Sequence, residues 1–280
     1  GSGGIGLCFS GQNVVQVLEK GQVLMKDLAI GDFVEVGLDQ FSKVYSFGHH
    51  DPFAKSEYLQ IHFATNNGLQ KPLEISRDHM VFVAAAGDEY YSSNGAIKTK
   101  KSVPASTVKV GDLLWMSSSG SVGHVTKIET VIREGAFAPF TSSGTLSVNG
   151  VLASSYVSLQ SDSAVLQIGG LKTFLSMHWL AHAFQAPHRV VCDFVSWKYC
   201  EQETYTDEEG ISHWVYVPLK VSEWLLRQNV VVMGLASMLV VAVAIAMVLL
   251  EHMMRNPVML VLTIGSVWSL WFVRGKKKGI

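Results

Sequence analysis

The chain has 280 residues, a formal net charge of -1, 48% hydrophobic residues and three cysteines. That length suits one large domain or two modest ones with a sizeable buried core, and the near-zero charge gives no electrostatic reason to expect nucleic acid as a partner. Cys8, Cys192 and Cys200 are too few for a disulfide scaffold and lack a zinc-site spacing; the last two can pair in an oxidising compartment, which leaves Cys8 alone in the first two-thirds of the chain.

No charged-then-apolar signal segment precedes Cys8. The sequence is therefore expected to be the carboxyl-terminal part of something longer, with its targeting information upstream. From Cys8 to about Val157 the pattern is one of short alternating apolar runs, among them NVVQVL, DFVEVGL, YLQIHFA, HMVFVAAA, DLLWMS, HVTKIETVI and TLSVNGVLA, broken by Gly, Asp, Asn and Pro. Such spacing predicts a mainly β fold of sandwich or barrel type, with no convincing amphipathic helix in this part.

An internal repeat sharpens that expectation. MKDLAIGDFVEV at 25–36 is echoed by ASTVKVGDLLWM at 105–116. Both copies fit a tight turn at Gly-Asp feeding a strand, which predicts a duplicated β unit with pseudo-two-fold symmetry. Between the copies, residues 87–102 are polar and glycine-bearing and read as an exposed loop without chemistry.

After Val157 the composition changes. LKTFLSMHWLAHAF at 171–184 places apolar residues at helical spacing until Pro187 stops the run, and VYVPLKVSEWLLRQ at 215–228 is a second aromatic, apolar helix candidate. Val230–Leu250 is 21 uncharged residues, and ~20 suffice to cross the hydrocarbon core. Pro257 opens a further apolar run, expected to span the membrane or lie in its interface, and Arg274, Lys276, Lys277 and Lys278 follow it. If both runs cross, the positive-inside tendency puts the globular part in the cytosol; if only the first crosses, that part can be lumenal.

Three places offer chemistry. Cys8 is a thiol with flexible glycines before it and little chain to bury it, where a nucleophile attacking its own preceding carbonyl would stand. Asp51 lies beside His49 and His50 and before Pro52, a setting that a simple turn explains equally well. Ser76-Arg77-Asp78-His79 interrupts a strand pattern, and such polar residues belong at a turn or in a site. His178 and His182 are spaced as H-x-x-x-H but lack the glutamate of metalloprotease helices, so no metal is expected.

Taken in order, CFSG, DLAIGD, HHDP, ISRDHMVFV, VPASTVKVGD and GAFAPFTSSGTLSVNGVLASSYV resemble the autoprocessing domain of Hedgehog proteins, the Hint (Hedgehog/intein) fold, from Cys8 to about Val157. The resemblance implies that Cys8 converts the Leu7–Cys8 peptide into a thioester by N-to-S acyl shift, which a sterol hydroxyl then attacks. In it His79 stabilises the strained scissile amide and protonates the departing amine, a proton transfer worth roughly 10²–10⁴ in rate. Ser76, where the family usually has threonine, hydrogen-bonds the same amide, Asp51 is general base on the alcohol, and Asp78 is structural.

The resemblance also implies an adduct-recognition segment after Val157. Its expected sterol contacts are Phe174, Trp179, Phe184, Trp214, Tyr216 and Trp224, side chains that dock the domain on lipid in the plainer reading. Three departures stand out: Leu7 replaces the usual glycine and crowds the acyl shift, Ser155 replaces a second cysteine, and Asn149 has no histidine before it, which disfavours intein splicing.

The domains expected are the end of an upstream segment at 1–7, the Hint domain at 8–157, a helical sterol-recognition region at 158–228, a transmembrane helix at 229–250, a second transmembrane or interfacial helix at 256–273 and a basic tail at 274–280. The expected activity is cysteine-dependent self-cleavage with transfer to a sterol co-substrate, at membranes of the secretory pathway and without cofactor or metal. The expected partners are membrane lipid and the upstream segment. Two alternatives are thioester hydrolysis without ligation and an inactive, membrane-anchored Hint scaffold, the latter favoured by Leu7 and Ser155.

Overall fold

A computed structural model describes residues 8–84, 100–117, 121–195, 197–201, 205 and 210–256. Leu7 and the upstream end, residues 85–99 of the expected loop, the second apolar run and the basic tail lie outside the described residues.

Two long strands, Gln40–Thr65 and Val122–Thr141, form the spine and pair antiparallel from His124 opposite Ala64 to Thr141 opposite Val44. Strands Val14–Val17, Gly21–Leu24 and Phe33–Gly37 extend the sheet on one side; Leu113–Trp115, His79–Ala84, Val151–Val157 and Thr145–Val148 extend it on the other. The molecule is mostly β, as the alternating runs predicted.

The predicted duplication is visible bond for bond. The Gly31 N–H donates to the Val44 carbonyl at 2.8 Å and the Gly111 N–H to the Val125 carbonyl at 2.9 Å, while Asp32 and Asp112 return the same bonds from their carbonyls. Each aspartate also accepts a backbone N–H with its side chain, from Ala29 and from Lys109. Both glycines take positive φ, +96° and +94°, where a Cβ is strained. Phe9, Phe47, Ile61, Ile75, Val81, Leu114, Phe137 and Leu146 fill the core between the halves, each contributing roughly 1.5–3 kcal/mol on burial.

Three expectations need correction. Lys100–Pro104 is a strand pairing with His79–Ala84, so the loop ends earlier than residue 102; Lys100 and Lys101 point outward while Ser102 is buried, a lysine-marked edge. Leu171–Ser176 is also a strand, hairpinned to Val165–Ile168, because Gly169 and Gly170 both adopt positive φ and turn the chain back. The predicted helix therefore keeps only its second half, α1 (Met177–Phe184). Beyond it come α2 (Ala186–Val190), a π-helical turn (Val191–Val195), α3 (Trp197–Glu201), α4 (His213–Leu226) and α5 (Val230–Arg255). Cys192 and Cys200 form a disulfide that ties the π-turn to α3.

Asn149's place is structural. Its side chain accepts from the Val14 N–H and donates to Asn13 and the Pro72 carbonyl. The third correction concerns α5, which continues past Leu250 to Arg255, five residues beyond the expected span. At 26 residues α5 is by length and composition able to cross a membrane, and only 11% of its most apolar stretch is buried. One face packs through Val241, Ala244 and Val248 on Met177, Leu180 and Ala183; Leu235, Met238 and Leu239 are exposed.

Candidate active site

Cys8 enters the core on a short extended segment. The Phe9 N–H donates to the Phe137 carbonyl at 2.8 Å, the Phe9 carbonyl accepts from the Phe137 N–H at 3.1 Å, and the Ser76 N–H donates to the Cys8 carbonyl at 2.9 Å. Phe9 is fully buried between the two strand systems, so its side chain anchors its neighbour. Cys8 is 2% exposed, which corrects the expectation that, with little chain before it, it would not be buried: the cover comes from strands distant in sequence.

Below this segment Glu74 is also buried. It accepts from Ser10 Oγ, Gln60 Nε2 and Arg133 Nε, while Asn13 brackets its backbone on both sides. These bonds leave the Cys8–Ser10 backbone one register. Sequence reasoning missed Glu74 and Asn13, whose only signal is polarity inside otherwise apolar runs.

Ser76 and His49 meet the two polar atoms of Cys8 that the chemistry needs. The Cys8 N–H donates to Ser76 Oγ at 2.9 Å, and Cys8 Sγ lies 2.7 Å from His49 Nδ1. His49 is buried, whereas His50 faces the other side of the strand, edge-on to Phe47 and Phe137, and burial lowers its pKa. The group against the sulfur is thus His49, two residues before the aspartate that the sequence suggested. Asp51 Oδ1 accepts the N–H groups of Phe53 and Ala54, because the ladder passes from Asp51 opposite Ala136 to Lys55 opposite Glu134 and leaves Pro52–Ala54 bulged out.

His79 follows Ser76 across a tight turn, its N–H donating to the Ser76 carbonyl at 3.2 Å, and its ring lies 4.2 Å from that of Phe9. His79 Nε2 is 2.8 Å from the Ser154 carbonyl. A carbonyl only accepts, so Nε2 carries hydrogen and Nδ1 is the basic nitrogen of the neutral ring. Asp78 gives its carbonyl to the Ser158 N–H, and burial raises the pKa of its carboxyl.

The Ser154 hydroxyl continues outward to His178 Nδ1 at 2.8 Å, and His182 Nδ1 meets the Tyr156 hydroxyl at 3.0 Å. Burial, reinforced by Lys100, lowers the pKa of His178 to about 4; burial, with Arg189 next in size, lowers that of His182 to about 3. Both rings serve this polar strip between sheet and α1. His188 lies beside Cys192 and Cys200, but the disulfide leaves those sulfurs no thiolate for a metal.

An apolar cavity of about 180 Å³ opens between sheet and helices. Gly48, Ala138, Ser155 and Val157 wall it on the sheet side, and Phe184, Val215 and Leu219 are among its helical walls. Gly48 precedes His49, Ala138 is His49's cross-strand partner, and Val157 is that of His79. Val215 also packs on the cluster that contains Cys8.

Of the six aromatic residues expected to meet a sterol, Phe184 lines this cavity. Trp179 packs in the α1–α5 cluster, and Trp214 stacks on His188 at 4.7 Å. Tyr216 and Trp224 flank Lys220 on the outer face of α4, and Phe174 is 92% exposed on its hairpin. The cavity walls are instead mostly aliphatic, carried by α4 and the strand ends.

The family model of the Hint module matches residues 2–227. The chain is 30% identical over 234 residues to the Tiggy-winkle hedgehog protein of Danio rerio, covering 80% of this chain and 50% of that protein. It is 27% identical over 239 residues to the Sonic hedgehog protein of the same species, with the same coverage, and 31% identical over 165 residues to Warthog protein 6 of Caenorhabditis elegans, covering 56% and 26%. The chain spans about half the length of the two Danio rerio relatives. Among solved structures, a bacterial intein-like domain from Clostridium thermocellum is 19% identical, with a TM-score of 0.37, over 52% of this chain and 97% of that one. The chain belongs to the Hint (Hedgehog/intein) family.

Proposed function

We propose that the chain cuts the Leu7–Cys8 bond through a thioester and passes the upstream acyl group to a sterol hydroxyl. One juxtaposition carries this reading: a buried thiol with a histidine nitrogen 2.7 Å from its sulfur and a serine hydroxyl 2.9 Å from its amide nitrogen.

In the first step Cys8 Sγ attacks the Leu7 carbonyl carbon while its proton passes to His49 Nδ1; the thiolate so formed is far more nucleophilic than a thiol of pKa ~8.5. The C–N bond breaks, the electron pair stays on the Cys8 nitrogen, and that nitrogen takes a proton from protonated His79. One proton leaves sulfur and one reaches nitrogen, so the step is neutral once His49 has released its proton and His79 has regained one. Ser76 orients the nitrogen throughout.

In the second step the alcohol oxygen attacks the thioester carbonyl and gives its proton to His49. The C–S bond breaks, and the departing sulfur takes that proton back. The base is His49 and not Asp51 in this reading, because His49 touches the sulfur and the Asp51 carboxylate is engaged in the Pro52–Ala54 bulge. The apolar cavity, whose walls include the cross-strand partners of His49 and His79, supports an apolar acceptor such as a sterol. The exposed apolar face of α5 supports delivery from a bilayer, and the Cys192–Cys200 disulfide supports an oxidising secretory compartment.

The test places a reporter before Leu7 and adds hydroxylamine, then a labelled sterol in detergent. Cleavage that Cys8→Ala abolishes, with label on the released reporter, is the expected result. Cleavage without label would mean hydrolysis, and an intact reporter in both arms would leave an inactive scaffold.

A further inference from the structure

The segment just before α4 behaves as an extra strand laid over the site. The His50 N–H donates to the Gly210 carbonyl at 2.9 Å, the Ser212 N–H donates to the Gly48 carbonyl at 3.0 Å, and Ile211 sits opposite His49 as a β-bridge. Ile211 is 1% exposed and packs in one cluster with Cys8, Tyr58 and Ala136. The approach is close enough to demand glycine at 210: φ is +62°, and a Cβ would stand 2.9 Å from the His50 carbonyl oxygen and 3.0 Å from Asp51 Cβ.

We infer that Ile211, pinned across the His49 strand by Gly210 and Ser212, is a specificity-determining residue that keeps water from the Cys8 thioester and leaves the apolar cavity as the way in for the acceptor. The inference rests on the thioester reading above. Its physical content is a competition at one carbonyl carbon. Water attack gives a carboxylic acid and the Cys8 thiol; alcohol attack gives an ester and the same thiol. Water is the smaller and far more abundant nucleophile, so transfer prevails only where water is excluded.

Ile211 covers the thiol cluster with an aliphatic side chain, and its backbone bonds hold it there. Val215, in the first turn of α4, packs on the same cluster and also lines the cavity, which Ile211 does not. Ser212 caps α4 by accepting the Trp214 N–H, so the seal runs directly into the helix that walls the cavity. An acceptor pressing on Leu219 or Val215 therefore meets the same helix that holds Ile211 down.

The experiment uses the full chain with its upstream reporter under non-reducing conditions, where Cys8 is the thiol outside the disulfide. Two readouts are taken on wild type, Ile211→Ala and Gly210→Ala: the rate at which iodoacetamide labels Cys8, and the ratio of acid to ester on the released reporter with cholesterol in micelles. Retention of the wild-type denaturation midpoint within the error of the assay selects the variants compared. Both substitutions are expected to speed labelling at least tenfold and to raise the acid-to-ester ratio by a similar factor, while hydroxylamine still releases the reporter. Labelling as slow as wild type in both variants overturns the seal. Faster labelling without any hydroxylamine cleavage, in wild type as well, leaves the seal standing and overturns the thioester reading instead.

Discussion

Arg189 and Glu251 form a two-pronged ion pair, Nε to Oε1 at 2.9 Å and Nη2 to Oε2 at 2.5 Å, that fastens α2 to the last turn of α5. The same guanidinium donates from Nη1 to the His182 carbonyl at 2.7 Å and to the Tyr156 hydroxyl at 3.4 Å, so one side chain joins two helices, a strand and the apolar helix. Removing Arg189 leaves Glu251 with Arg255, four residues on, as a remaining partner. Arg189→Met is expected to cost about 1–3 kcal/mol, and Arg189→Met with Glu251→Met less, because the apolar pair leaves no half-satisfied buried carboxylate. Denaturant unfolding of the single and double variants measures it; equal losses in both would show that the charges themselves are not what matters.

The base is the next testable assignment. His49→Ala should slow reporter release in hydroxylamine by roughly 10²–10⁴, whereas Asp51→Asn should stay within about tenfold, since its Oδ1 retains a carbonyl-type acceptor for Phe53 and Ala54. Single-turnover rates of the two variants decide between them. A slow Asp51→Asn beside a fast His49→Ala would return the role to the aspartate.

Stability should fall in mild acid. Burial lowers His178 to about 4 and His182 to about 3, well under the ordinary ~6.5, so both are neutral in the folded protein and become protonated more readily on unfolding. Their effect is absent above pH 6.5; between about 6.5 and 4 the unfolded chain takes up protons that the folded one refuses, and each histidine costs stability on the order of 3 kcal/mol by the end of that window. Urea midpoints at pH 7 and pH 5 are expected to differ, and His178→Gln with His182→Gln should bring them closer. An unchanged difference would place the acid sensitivity elsewhere.

The disulfide spans eight positions in sequence, and closing so short a loop is worth about 2–3 kcal/mol in the unfolded-state entropy account. Cys192→Ala with Cys200→Ala should lower the unfolding free energy by about that much. Hydroxylamine cleavage should survive, because neither sulfur contacts Cys8. Loss of cleavage at unchanged stability would tie the disulfide to the chemistry directly.

How far the sequence reaches differs from residue to residue. The two Gly-Asp turns were legible because a positive-φ glycine and a side chain bonding its own turn are local requirements, repeated in two places. Leu171–Ser176 is ambiguous in the sequence because apolar residues at 171, 174 and 175 fit a helix as well as a hairpin arm, and only Gly169-Gly170 argues otherwise. Cys8, Ser76 and His79 stood out as polar or reactive residues inside strand patterns. The choice between His49 and Asp51 turned on a bulge after Asp51, which depends on the partner strand and has no local signature. Ile211 is invisible for the same reason: an isoleucine after a glycine has meaning only once the His49 strand lies beneath it.

The burial of Cys8 has one more consequence, and it concerns timing. Its nitrogen is held by Ser76, 68 positions away, and its sulfur by His49, 41 positions away, while the strand flanking it on the far side begins at Val122. A nascent or misfolded chain owns the same cysteine but none of this company. Under the proposed mechanism self-cleavage doubles as an inspection: it would release a leading segment only from a module whose distant parts have all arrived.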